Sequence, residues 1–168
     1  MRKRHGSYVN VKPPARIMLS LLWTSMLFVF AYVDIFGFWR SDVIKGALAK
    51  KVPGPGFVID QRFLLLTTIY ILIPALMITA TMLMPARITR MANIAVSAAF
   101  LVTILVSAAG ERWAYYLVGS AVECLLLLII AVVAWRWPRE ATTGAELDGR
   151  DVSEPRTAHH LADVSHSA

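Results

Sequence analysis

The stretch WAYYLVGSAVECLLLLIIAVVAWRW, Trp113 to Trp137, decides how this chain is read. It is long enough to cross a hydrocarbon core ~30 Å thick, a task that takes ~20 apolar residues. Its aromatic residues gather toward the two ends, where amphipathic rings favour the membrane interface. One acid, Glu123, interrupts the apolar middle. Three further blocks of similar length lie upstream, at residues 17–39, 63–84 and 91–109. The expected fold is therefore all-α and polytopic, an antiparallel bundle of four transmembrane helices joined by mostly short loops.

The composition agrees. Of 168 residues, 57% are hydrophobic and only 17% charged, against about 25% charged in ordinary soluble domains. The net charge of +6 does not point to nucleic acid, because Lys and Arg cluster at the ends of the apolar blocks rather than along one polar face. Their distribution sets topology instead. The N-terminal segment, the 85–90 connection and the C-terminal segment hold eleven of them, among them Arg2, Lys3, Arg4, Arg16, Arg87 and Arg90; the opposite side holds six, Arg40, Lys45, Lys50, Lys51, Arg62 and Arg112. The positive-inside rule then places both termini in the cytoplasm. Residues 1–16 are a basic segment closed by Pro13 and Pro14, and the ~23-residue run that follows is read as a retained anchor, since no small-x-small cleavage site succeeds it.

The first external loop carries its own pattern. Val43, Ile44, Ala47 and Leu48 recur at helical spacing behind a Ser41 or Asp42 cap, while Lys45, Lys50 and Lys51 face elsewhere, which describes a short helix lying on the membrane surface. "VPGPG" must then turn. Residues 138–168 carry too few large apolar side chains to offset their ordering entropy and are read as a disordered cytoplasmic tail. Neither its His159, His160 and His166 nor the single Cys124 forms a thiolate–histidine metal set. No phosphate loop, HExxH or Ser-His-Asp set can be assembled, so no catalysis, metal or cofactor is expected.

Interest falls on polar residues inside the spans. Asp34, in "FAYVDIFGFW", lies ~7 Å inside the outer hydrocarbon boundary, and Glu123 ~15 Å deep, near the midplane. An Asp at a helix centre costs about 2.5–3.5 kcal/mol to insert, so both acids are expected to face the bundle interior and to be protonated, hydrogen-bonded or paired. At 100° per residue, Trp23 and Phe30 share a stripe with Asp34, and Tyr116, Gly119 and Ser120 share one with Glu123. Span two offers Thr67, Tyr70 and Pro74, and span three carries Asn93, Ser97 and Ser107 beside a small-residue row, Ala95, Ala99 and Thr103. Two arrangements accommodate them. In one, Asp34, Tyr70, Tyr116 and Ser120 line an outward-open polar pocket floored by Glu123; in the other, Asp34 pairs with Arg112 or Arg62, Glu123 bonds to Tyr116 or a hydroxyl, and both only fix helix register.

The chain also resembles a family of small bacterial four-helix membrane proteins classed as a domain of unknown function. The resemblance rests on "LLWTSMLFVFAYVDIFGFW" with Tyr32 and Asp34, on "RITRMANI" with Arg90 and Asn93, and on "YYLVGSAVECLLLLIIAVVAWRWP" with Tyr116, Glu123 and Trp135. It covers roughly residues 15–138. It implies a four-span inner-membrane protein and no activity, and the long polar tail looks like an addition to the family pattern. The leading expectation is a small structural or accessory membrane protein, in contact with the bilayer and with a second copy or another membrane protein. The rival is a transport or sensing module that uses Glu123 and Asp34; a lipid or quinone enzyme with Glu123 as base ranks last, for want of a convergent second group.

Overall fold

The computed structural model describes residues 13–137, which belong to one compact unit. The basic residues 1–12 and the tail 138–168, with its three histidines, lie outside the described residues. Five helices follow in order: α1 (Ala15–Gly37), α2 (Ser41–Leu48), α3 (Gln61–Leu83), α4 (Ala86–Ala108) and α5 (Ala114–Trp135). Four of them, all but α2, are long and apolar enough to cross a membrane.

Proline and aspartate mark where the long helices begin. Pro14 and Pro85 stand immediately before α1 and α4, where a missing N–H and a φ near −60° suit a helix entrance. Asp60 caps α3, its carboxylate accepting the Phe63 N–H at 2.8 Å. That cap starts the helix at Gln61, ahead of the apolar block itself. Likewise, Arg87 and Arg90, expected in a connection, lie inside α4. Arginine is a good helix former, so the helix runs past the apolar boundary to Pro85. The turn between α3 and α4 is reduced to Met84 and Pro85.

The connection from α2 to α3 needs special backbone. The cap of α2 is the backbone of Arg40, with no side-chain cap; neither Ser41 nor Asp42 takes that role, because the Asp42 carboxylate binds the Arg40 guanidinium at 2.7 Å. The helix ends in a Schellman closure: Lys51 N–H bonds to Gly46 C=O and Lys50 N–H to Ala47 C=O, with Lys50 in the left-handed region at φ 55°. A Cβ on Gly46 would come within 2.6 Å of the Lys51 carbonyl. The chain then doubles back through Gly54 and Gly56, both at positive φ, so that Lys51 and Val58 form an isolated antiparallel bridge.

Helix α5 packs most extensively on α4, then on α1; α1 also packs on α3, and α3 touches α4 less than these. The close approach of α1 and α5 depends on Gly119, where an added Cβ would collide with the Val33 Cγ2 methyl. This is small-residue packing, which lets helices meet without an aqueous hydrophobic drive. The core is filled by Leu19, Trp23 and Met26 of α1, Met77 of α3, Phe100 and Ile104 of α4, and Leu127 and Ile130 of α5. Around it, Leu21, Phe28, Leu65, Leu76, Val102 and Leu125 are all exposed. A helix set that is apolar on both its inner and outer faces belongs in lipid.

Candidate functional site

Two polar clusters and one latch emerge from this packing. The first joins the start of α1, the end of α3 and the start of α4. Trp23, fully buried, donates its indole N–H to Asn93 Oδ1 at 2.7 Å. An indole can only donate, so the amide nitrogen of Asn93 must point the other way, and it donates to Thr81 Oγ1 at 3.1 Å and to the Thr89 carbonyl at 2.8 Å. Asn93, Thr81 and Thr89 are all at 0% exposure. Arg16 closes this cluster by donating from one terminal nitrogen to the carbonyls of Thr81, Met82 and Met84, the orphan acceptors at the end of a helix.

The second cluster surrounds Glu123. The residue is only 3% exposed, and its Oε1 is buried without a hydrogen-bond partner among the described residues. No hydrogen bond among the described residues joins it to Asp34 of α1 or to Tyr70 of α3. Tyr70 shares a 2.6 Å hydrogen bond with Thr103 and stacks on Phe100 at 4.4 Å between centroids. Tyr116 donates to Ser107 at 3.1 Å, and Ser120 is buried one turn from Glu123. Between the clusters stands an aromatic column, Trp23 edge-on to Phe100, Phe100 stacked on Tyr70 and Tyr70 tilted against Phe30.

The expected site residues therefore fall out unequally. Glu123, Ser120, Tyr70 and Tyr116 lie around one part of the interior, whereas Asp34, expected to face inward, is exposed on α1. Val33 takes the position that faces α5 at Gly119, and the next residue, turned by 100°, falls outside the contact. Arg112 is exposed and forms no ion pair with Asp34; both ion pairs among the described residues belong to Arg40. Thr67 and Tyr70 border an open recess of about 420 Å³, but its other walls are Phe57, Phe63 and Leu66.

The latch went unseen in the sequence. Arg40 binds Asp42 at 2.7 Å and Glu111 at 3.0 Å, and lies over the Trp113 ring at 4.8 Å. The other oxygen of Glu111 accepts the backbone N–H groups of Arg112 and Trp113, so one carboxylate organises the entrance to α5. The hydrogen bond from Arg40 holds the Asp42 carboxyl below its usual range. At Glu111 burial pushes upward, but Arg40 and the two N–H donors outweigh it and the net shift is downward. No local pattern announces a pairing between Arg40 and Glu111, which lie on separate loops.

Four long apolar helices around a buried, largely hydrogen-bonded polar interior define a small polytopic helical membrane protein. The chain belongs to a family of unknown function (DUF6326), whose model matches residues 10–143. No curated protein and no solved structure matches it.

Proposed function

We propose that the chain is a structural or accessory protein of the bacterial inner membrane, without enzymatic chemistry, cofactor or nucleic-acid partner. It sits as an antiparallel four-helix bundle with both termini in the cytoplasm and α2 lying on the outer surface, and it works against the bilayer and a second copy or another membrane protein. The observation that carries this reading is the filled interior. The aromatic contacts of Trp23, Phe100, Tyr70 and Phe30 and the Leu19, Met26, Leu127 and Ile130 core fill the interior with large side chains, which suits a packed strut better than a conduit. Antiparallel packing is supported by Arg16, at the start of α1, bonding to carbonyls at the end of α3.

A second reading has a specific observation in its favour. Glu123 Oε1 is buried and unpartnered among the described residues, and a buried acceptor left unbonded costs stability, a cost that a functional role gives reason to keep. In this reading Glu123, with Asp34 near the surface, takes up a proton or small cation in a transport or sensing module, assisted by Tyr70, Tyr116 and Ser120. The test is infrared spectroscopy of the carboxyl bands across pH in bilayers, for the native chain and for Glu123→Gln and Asp34→Asn, together with growth of cells carrying each variant. Folded variants that leave growth and its pH response unaltered support the structural role. A pH- or ion-dependent response that vanishes with Glu123→Gln, with insertion intact, overturns it in favour of the second reading.

A further inference from the structure

Arg90 lies one turn into α4 with its guanidinium carbon 5.6 Å from the centroid of the Trp135 ring. Its Nε–H is buried and has no hydrogen-bond partner among the described residues. Nearby in the same end of the fold, Arg16 lies 5.6 Å from the centroid of Trp137 and reaches the carbonyl of Met84, just before α4. The start of α1, the end of α3, the start of α4 and the end of α5 therefore meet here. Arg87 and Arg136 belong to the same helix ends. The acids among the described residues are Asp34, Asp42, Asp60, Glu111 and Glu123, and none of them lies on these helix ends. This end is cationic, with no carboxylate among the described residues to balance it.

A guanidinium against an aromatic face, with one N–H withdrawn from water, is a donor in need of an acceptor. An anionic acceptor suits it best, no carboxylate among the described residues lies at this end, and the terminal nitrogens of Arg90, which are not enclosed as Nε is, are the ones such an acceptor reaches. It must also tolerate apolar surroundings, because Ile88, Met91 and Trp135 all leave large apolar surface exposed around this residue. A soluble anion has no use for that surface. A phospholipid does: its phosphate sits at the depth of interfacial tryptophans, and its acyl chains cover what lies below. Arginine, moreover, presents a planar fork that meets phosphate oxygens in pairs.

We propose that the terminal nitrogens of Arg90, flanked by Trp135 and supported by Arg16 and Trp137, form a binding site for the phosphate headgroup of an anionic phospholipid. This goes beyond either reading of the Glu123 region and stands or falls independently of both, since the two places share no residue.

The experiment uses the purified full chain. Native mass spectrometry with phosphatidylglycerol or phosphatidylcholine of identical acyl chains should show preferential retention of the anionic lipid. Arg90→Gln should reduce that retention roughly fivefold, the size expected for one basic residue at an anionic surface, while Arg90→Lys, which keeps the charge but lacks the fork, should fall between. Arg62→Gln, at the start of α3 and remote from this end, should change nothing. As a measurement free of any variant's folding, the native chain should melt at a higher temperature in nanodiscs containing phosphatidylglycerol than in phosphatidylcholine alone. Equal retention of the two lipids, retention unaffected by Arg90→Gln, no difference between the nanodiscs, or stabilisation by inorganic phosphate equal to that by phosphatidylglycerol would each overturn the proposal.

Discussion

Asn93 is the residue on which most of the buried polar structure converges. One amide bonds α4 to Trp23 of α1, to Thr81 of α3 and to its own helix at Thr89. Asn93→Leu would leave the Trp23 N–H with no acceptor in a medium that offers no water, and hydrogen bonds of this kind are worth ~1–2 kcal/mol in membranes. The variant is expected to lose about 2 kcal/mol of stability in detergent, read as a shift of the denaturation midpoint. Adding Trp23→Phe to it should cost less than the two single changes together, since both remove the same bond. The side of span three that carries Asn93 was legible from spacing alone. That it answers Trp23 was not, because the two residues are far apart along the chain and only helix packing brings them together.

At the level of elements, two glycines hold positions that a larger residue cannot. Gly119→Ala places a methyl group against Val33 Cγ2 and should separate α1 from α5, destabilising the chain by about 1–3 kcal/mol, as overpacking does. Val33→Ala should restore most of the loss, and the double variant measured beside the singles checks this. Gly46→Ala drives a Cβ into the Lys51 carbonyl and the Pro53 ring, so it should expose the 49–56 turn to protease while leaving the four long helices intact. Sequence reading found the short helix in this loop and the turn after it. It misplaced the cap, because Asp42 has a stronger partner in Arg40 than in any backbone amide.

For the whole molecule, the Arg40 latch ties the connection between α1 and α2 to that between α4 and α5. Asp42 and Glu111 both titrate below their ordinary values. A carboxylate with a lowered folded pKa adds stability that is complete above its unfolded value and is lost as pH falls through the folded one. Thermal stability in detergent is therefore expected to hold near neutrality and to decline below about pH 4, where carboxylates ordinarily titrate, and Arg40→Gln should flatten that decline. A second expectation follows from the exterior. With Phe28, Leu65, Leu66, Leu76, Val102 and Leu125 all exposed, the chain should aggregate when detergent is removed, as light scattering would show, and return to a dispersed state in bilayer nanodiscs.

Legible without any coordinates were the number of long apolar helices, their approximate reach, and the presence of a short helix and turn between the first and second of them. Those features depend on composition, on a period of 3.6 residues and on the thickness of a hydrocarbon layer, all of which are local or summed quantities. Only the tertiary structure decided that Glu123 is enclosed while Asp34 is not, that Trp23 meets Asn93, and that Arg40 joins Glu111 instead of Arg112 joining Asp34. The first turns on the rotation of α1 against α5, which meet where Gly119 lets α5 press on Val33; the other two depend on packing that brings together elements far apart along the chain.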